Sequence, residues 1–409
     1  MIERKLLLGD EAIALGAIHA GISGVYAYPG TPSTEITEYI QGHAQEVRSR
    51  WCTNEKTAME AALGMSYAGK RALVCMKHVG MNVAADAFVN SAITGVNGGL
   101  VVLAADDPSM HSSQNEQDSR FYGKFAMIPI LEPSTQQEAY DMMKYAYALS
   151  EEKKLPVLLR VVTRLAHSRA GVVVNDLMPQ NALNPDKERT WVLLPAIARR
   201  QYASLVAKQP DLVESSEHSP YNGMNAFEGK AKLGVIACGI GYNYVMENDP
   251  QSLGIPVLKV SQYPLPEASI KALAAQCESL LVAEDGQPLV EEQVKAILGA
   301  DYALKGRLTG DLPRMGELTP DCVGAALGVN IEQPYTEAQN VMPRPPALCQ
   351  GCGHRDVYDA LNKVAAEYEG ARIFGDIGCY TLGALPPFRA IDSCVDMGAS
   401  ITMAKGAAD

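Results

Sequence analysis

At 409 residues, 47% hydrophobic and 20% charged, the sequence has the make-up of a globular protein of two or three domains. A formal charge of −12 with no basic stripe argues against nucleic acid as a partner, and no apolar run reaches the ~18 residues of a membrane span. The opening "MIERKLLLGDEAIALGAIHAG" has no signal-peptide core followed by a small-residue cleavage site, so a cytoplasmic protein with no membrane contact is expected.

In chain order, an amphipathic helix over about 9–21 leads into "GVYAYPGTPSTEI", a short strand that breaks at Pro29 and Gly30. A second helix should start after Pro32, with Ser33 or Thr34 near its cap. "RALVCM" (71–76) and "GGLVVLAADD" (98–107) are continuous apolar strands of the kind buried on both faces of a parallel sheet. "EAYDMMKYAYALSEEKKLP" reads as a helix and "LPVLLRVV" as the strand after it. This alternation predicts a doubly wound α/β domain over 1–172, with ligands at the carboxyl ends of its strands. Residues 173–230 break the rhythm and read as a linker arm with one exposed helix. A second α/β domain follows over 231–335, in which "GVIACGIGYNYV" has strand–glycine–helix form. Its Gly239-x-Gly241 lacks the third glycine of a dinucleotide loop, so a tight turn is the plainer reading. After the proline-bearing "EQPYTEAQNVMPRPPALC", residues 348–409 begin a third α/β unit that looks unfinished at about 60 residues.

Three stretches carry candidate chemistry. Glu55 stands at the head of the small-residue helix in "WCTNEKTAMEAALGMSYAG", with Asn54 placed to cap it. It is either a carboxylate favoured by a helix start or one that faces a cofactor. "ADDPSMHSSQNEQDSRFYG" (105–123) is a long polar loop at a strand's carboxyl end carrying His111, Asn115, Asp118 and Arg120. Arg120 is suited to pair with a substrate carboxylate, and Lys77 and His78 should open onto the same rim. Of nine cysteines, Cys52, Cys75, Cys238 and Cys277 sit in apolar surroundings as buried thiols, whereas Cys349, Cys352, Cys379 and Cys394 crowd the last 61 residues. "CQGCGHR" is open to four readings: a zinc site with Cys379 and His354, a redox dithiol, part of an iron–sulfur site, or the turn of a cofactor pocket. "GDIGCYTLG" (375–383) and "MGASITMAKG" offer backbone N–H groups to a phosphate.

"YPGTPSTE", "NEKTAMEAALGMSYAGKRALVCMKHVGMNVAADAF", "HSSQNEQDSRFYG", "QGCGHR", "GDIGCYTLG" and "MGASITMAKG" occur in an order that resembles the alpha subunits of indolepyruvate ferredoxin oxidoreductases. The resemblance covers nearly the whole chain and is densest over 24–140 and 347–409. These are thiamine-diphosphate-dependent 2-oxoacid:ferredoxin oxidoreductases. The resemblance implies a pyrimidine-binding domain (1–172), a transketolase-C-like unit (231–335) and the front of a diphosphate-binding domain (336–409). It also implies that Glu55 is the carboxylic acid on N1′ of the aminopyrimidine, favouring the imino tautomer whose nitrogen takes the thiazolium C2 proton. Thr31 would lie near the reacting carbon and Arg120 would hold the substrate carboxylate. Tyr28, Pro29, Gly30 and Asn82, with Gly353, His354, Gly375, Asp376, Ile377, Gly378, Tyr380, Gly398, Ala399 and Ser400, would contact the cofactor. Cys349, Cys352 and Cys379 match three ligands of a [4Fe-4S] cluster whose fourth lies far downstream.

The activity so implied is oxidative decarboxylation of aryl 2-oxoacids to acyl-coenzyme A, with electrons passing through clusters to ferredoxin. A beta subunit would complete a hetero-oligomer. The Mg²⁺ motif of such enzymes has no counterpart up to "MAKGAAD", nor has the cysteine-rich ferredoxin-like tail, so the chain is expected to be the front two thirds of the subunit. A non-oxidative thiamine-diphosphate decarboxylase and an inactive truncated paralogue are the alternatives.

Overall fold

The computed structural model describes residues 3–184, 191–331, 340, 342 and 345–409. The chain forms two compact units, Met1–Glu332 and Gln333–Asp409. The expected boundary at 335/336 and much of the proline-bearing linker lie outside the described residues.

In the first unit β1 (Arg4–Leu8) pairs antiparallel with β8 (Arg169–Val173) as a separate ribbon. Between them run β2 (Gly24–Ala27), β3 (Arg48–Trp51), β4 (Ala72–Lys77), β5 (Leu100–Asp106), β6 (Ile130–Leu131) and β7 (Val157–Val162). Later come β9 (Gly223–Met224), β10 (Ala231–Cys238), β11 (Val257–Val260), β12 (Gln262–Tyr263), β13 (Cys277–Ala283) and β14 (Ala303–Lys305). Seven strands form one sheet in the order β12-β6-β7-β5-β4-β2-β3, and five form a second in the order β14-β13-β10-β11-β9. Within these two sheets, among the described residues, only β12 and β9 run antiparallel to their neighbours.

The apolar runs explain the centre of the first sheet. Every residue of β4, β5 and β7 is buried, as strands covered on both faces must be. Helices α1 (Gly9–His19), α2 (Thr34–His43), α3 (Glu55–Tyr67), α4 (His78–Thr94), α5 (Arg120–Ala126), α6 (Gln136–Lys153) and α7 (Thr163–Ala166) supply those covers. α1 lies so close on α6 that a methyl group at Gly16 would fall 2.4 Å from the Tyr140 carbonyl oxygen.

The two sheets are not separate bodies. One hydrophobic cluster joins Val25, Leu73 and Leu159 of the first sheet to Val235 and Leu281 of the second. β12 leaves the second half of the chain to extend the first sheet, with Gln262 opposite Leu131 and Tyr263 opposite Ile130. The expected arm differs from the single exposed helix foreseen. It carries helices Pro195–Ala207 and Gln209–Glu217, broken where Pro210 lacks an N–H, and it buries Leu205 and Leu212. Gly239 turns at φ +48°, and a methyl group there would meet Glu132 Oε1 at 2.5 Å, so the glycine pair serves a tight turn.

The second unit is smaller. Helix Gly353–Ala365 packs on the short helical turn Cys379–Ala384, while a parallel pair, β15 (Phe374–Gly375) and β16 (Ser393–Cys394), meets helix Ala399–Ala408. Its buried cluster is Leu348, Tyr358, Phe388 and Ala390, pinned by hydrogen bonds from Tyr358 OH to Tyr380 O (2.5 Å) and from Asn362 Nδ2 to Phe388 O (2.8 Å). No described helix is long and apolar enough to cross a membrane.

Candidate functional site

Glu55 opens α3, and the Asn54 side chain accepts the Thr57 N–H (2.9 Å), closing the helix start as the sequence suggests. That cap aims Glu55 at the first turn of α4. A methyl group at Gly80 would lie 2.6 Å from Glu55 Oε1 and 2.7 Å from its Cγ, so the glycine makes the space that the carboxyl occupies. Burial raises the Glu55 pKa, opposed by a hydrogen bond from its own backbone N–H. A carboxyl held toward its protonated form in a half-buried niche is equipped to donate a hydrogen bond to a ring nitrogen. This fits the pyrimidine end of thiamine diphosphate.

The turn after β2 borders the same end of the sheet. The Gly30 N–H donates to Thr34 Oγ1 (2.9 Å) and Ser33 Oγ donates to Gly30 O (2.9 Å), which leaves Pro29 and Thr31 exposed and Tyr28 half-buried. Gly30 faces Lys77, whose Cβ would be 3.2 Å from an added methyl group. Lys77 Nζ donates to Ser112 O (2.6 Å), and burial lowers its pKa against the pull of Asp107. Asp107 accepts from the Ser112 N–H (2.8 Å), Ser113 Oγ (2.5 Å) and Thr163 Oγ1 (2.7 Å). These bonds outweigh its burial and keep it ionised. His78 Nε2 lies 3.2 Å from the Asn115 carbonyl, and Asn82 Oδ1 accepts the Tyr122 hydroxyl. Lys77 and His78 therefore meet the polar loop, but both are buried and do not open onto a rim as the sequence suggested. The Gly80 niche was not foreseen; its one signal was a glycine in the first turn of a helix.

Arg120 is a correction. Its side chain is fully buried, with Nη2 2.5 Å from Asp118 Oδ2 and 2.9 Å from Glu284 Oε2, and Nη1 3.7 Å from Glu132 Oε2. Its remaining donors meet Gln287 O (2.9 Å) and Tyr263 OH (3.3 Å), so no donor faces a substrate. Arg160 joins the same cluster through Asp106 (2.6 Å), Glu132 and Asp285 O (2.7 Å). The network stitches the first sheet to the second. It was missed because residues 106, 118, 120, 132, 160, 284 and 285 meet only in the folded chain. Burial would raise Asp118, but Arg120 and Arg160 hold it at about 2, whereas burial pushes Glu284 up to about 7 and Asp285 to about 6.

In the second unit, Gly353 and His354 begin the helix, and His354 Nδ1 lies 3.3 Å from Cys352 Sγ. The expected phosphate contacts are paired internally. Asp376 accepts the Ser400 N–H (2.7 Å) and its hydroxyl (2.9 Å), while the Gly378 N–H donates to Thr381 Oγ1 (3.1 Å) and the Ile377 N–H to Asp396 O (3.2 Å). The Asp376 carboxylate thus sits where Gly398, Ala399 and Ser400 were expected to receive a phosphate, and those hydrogen bonds lower its pKa. Tyr380 OH donates to Ile377 O (3.2 Å), and Gly375 packs on Ile391. Cys349 and Cys379 are exposed and Cys352 half-buried. The three sulfurs do not meet at single-ion distance; among the described residues only Asp10, Glu35 and His167 bring three ligand atoms within 4.8 Å of one another.

A cavity of about 300 Å³ bordered by Thr94, Asn97, Trp191 and Lys208 opens at the far end of α4 from Gly80, away from this chemistry.

Residues 15–210 match the family described as pyruvate flavodoxin/ferredoxin oxidoreductase, thiamine diphosphate-binding. The chain is 41% identical to the indolepyruvate oxidoreductase subunit IorA of Archaeoglobus fulgidus, over 99% of its own length and 68% of that protein. It is equally similar to the subunit of the same name from Pyrococcus abyssi, 41% over 99% of this chain and 66% of the relative. The chain therefore spans about two thirds of the length of these relatives. Among solved structures, a 2-oxoglutarate:ferredoxin oxidoreductase from Magnetococcus marinus superposes with a TM-score of 0.63 at 16% identity, covering 80% of this chain and 65% of that one. That likeness bears on the α/β fold alone.

Proposed function

We infer the function from the premise that the chain belongs to the IorA subunits of indolepyruvate oxidoreductase, a thiamine-diphosphate-dependent class of 2-oxoacid oxidoreductases. Residues 1–172 then take the pyrimidine end of the cofactor, 231–335 form a transketolase-C-like unit and 336–409 are the N-terminal part of a diphosphate-binding domain. Bound thiamine diphosphate supplies a nucleophilic carbon and an electron sink for the substrate carbonyl. This chain's part is to hold and move protons. Glu55, desolvated against Gly80, donates its carboxyl proton to the ring nitrogen and keeps the cofactor in its reactive tautomer. Lys77, buried beside the Tyr28–Thr31 turn with Nζ on Ser112 O, is assigned the part expected of Arg120 as the partner of a substrate carboxylate. Thr31, exposed on that turn, would lie beside the reacting carbon of the bound cofactor.

The substrates in this reading are aryl 2-oxoacids such as indolepyruvate, with coenzyme A as acyl acceptor, ferredoxin as electron acceptor and a second subunit completing the enzyme. Cys349, Cys352 and Cys379 are proposed as thiolates of an iron–sulfur cluster. For Mg²⁺ the described residues of the second unit bring no acidic set together, so no step is assigned to it. All nine cysteines are unpaired, in keeping with the cytoplasm.

The observation that carries the proposal is the Glu55–Gly80 niche in a chain 41% identical to IorA subunits. With the partner subunit co-expressed, indolepyruvate- and coenzyme A-dependent reduction of a viologen dye is expected. Glu55→Gln should lower it by about 10²–10⁴-fold, the range for loss of a positioned acid, while thiamine diphosphate still binds by calorimetry. Full activity in the variant overturns the role of Glu55. Aldehyde formation without coenzyme A or dye reduction would mark a non-oxidative decarboxylase instead.

A further inference from the structure

We propose that Asp10, Glu35 and His167 form a binding site for a divalent transition-metal ion of the size and borderline softness of Zn²⁺. The three come from separate elements: the first turn of α1, the first turn of α2 and the residue that closes α7. His167 Nε2 lies 3.7 Å from Glu35 Oε1 and 3.9 Å from Asp10 Oδ2. Those separations are too long for hydrogen bonds. They are close to the spacing around an ion, since bonds of 2.0–2.2 Å place tetrahedral ligands about 3.3–3.6 Å apart. All three ligand atoms lie within 4.8 Å of one another, so side-chain adjustments of at most about 1 Å close the site.

A second observation points to a missing partner. Asp10 has 0% exposure, and neither of its carboxylate oxygens accepts a hydrogen bond; Glu35 Oε2 is likewise buried and without one. Buried carboxylates are ordinarily hydrogen-bonded, paired with a cation or bound to a metal. The Asp10 carboxylate faces an imidazole and a second carboxylate, and no Lys or Arg among the described residues forms an ion pair with it. The side chains of His167 and Glu35 are 36% and 40% exposed, which gives an ion a way in and leaves room for water to complete its shell. One imidazole with two carboxylates suits Zn²⁺ or Mn²⁺ better than Ca²⁺ or Mg²⁺, which take oxygen sets.

Such an ion would act as a tether. Glu35 follows Thr34, whose hydroxyl holds the Gly30 N–H, so fixing Glu35 to α1 and α7 fixes the Tyr28–Thr31 turn. The proposal does not depend on the reaction assigned above.

The test is titration of the chelator-treated chain with Zn²⁺ alone against a chromophoric competitor, in wild type, Asp10→Asn and His167→Ala. Zinc held by the cysteines is common to all three and cancels. The expected result is one more Zn²⁺ per chain in wild type, with affinity at that site reduced at least about tenfold in each variant. Zn²⁺ should also raise the melting temperature of wild type more than that of the variants. Asp10→Asn is isosteric and His167 partly exposed, so circular dichroism should show both folded. Equal stoichiometry and affinity in the three chains overturns the proposal and leaves a proton shared between Asp10 and Glu35 as the occupant.

Discussion

A methyl group at position 80 would stand 2.6 Å from Glu55 Oε1, closer than side-chain carbons approach an oxygen. Because the obstacle is the end of a flexible side chain, Gly80→Ala should displace the carboxyl without unfolding the helix, where alanine is the better helix former. The expected outcome is a loss of turnover of at least about tenfold, as a displaced catalytic group entails, with a melting temperature within a few degrees of wild type. Paired activity and thermal-melt measurements decide it. Matching losses of both would make Gly80 a packing residue. At this scale the sequence was a mixed guide. Asn54 and Glu55 were legible because a helix start has a local signature. Arg120 was not, since a polar loop reads as exposed whatever carboxylates approach it from residues 132 and 284. Asp10 was hidden for the same reason, as an acidic residue in a first turn looks ordinary until burial is known.

Among elements, the apolar runs of β4, β5 and β7 declared themselves, because a strand covered on both faces has no room for polar alternation. β12 is two residues long and pairs with a strand far away in sequence, so no local pattern announces it. The buried charges that join the two sheets make stability depend on pH. Glu284, at about 7 in the fold, binds a proton more tightly there than in the unfolded chain. Its contribution is complete below the unfolded carboxyl range and is lost as pH rises toward and through 7. Asp118, near 2, acts in the opposite sense only in acid, as pH falls below about 4. Between pH 5 and 8 wild type should therefore melt higher at the acidic end. Glu284→Gln should shrink that difference by about 1–3 kcal/mol in chemical denaturation. An unchanged pH slope would place the proton elsewhere in the cluster.

The whole molecule is uneven. The first unit shares large apolar cores between two sheets, whereas the second rests on Leu348, Tyr358, Phe388 and Ala390. Helix Gly353–Ala365 turns Val357, Leu361 and Val364 outward at helical spacing, with Tyr368 just beyond. Brief digestion of the native chain with a broad-specificity protease should leave a resistant fragment ending near Glu332, identified by intact mass. Equal survival of both units would mean that the small core suffices.

The pairing of β6 with β12 has a consequence for how the protein is made. Leu131 meets its neighbour Gln262 only after about 130 further residues have been synthesised. At about 5–20 residues per second, the flank of the nascent sheet stays open for roughly 7–26 seconds. During that interval the growing chain presents an unmatched strand edge, a surface on which ribosome-associated chaperones could act before the sheet is sealed.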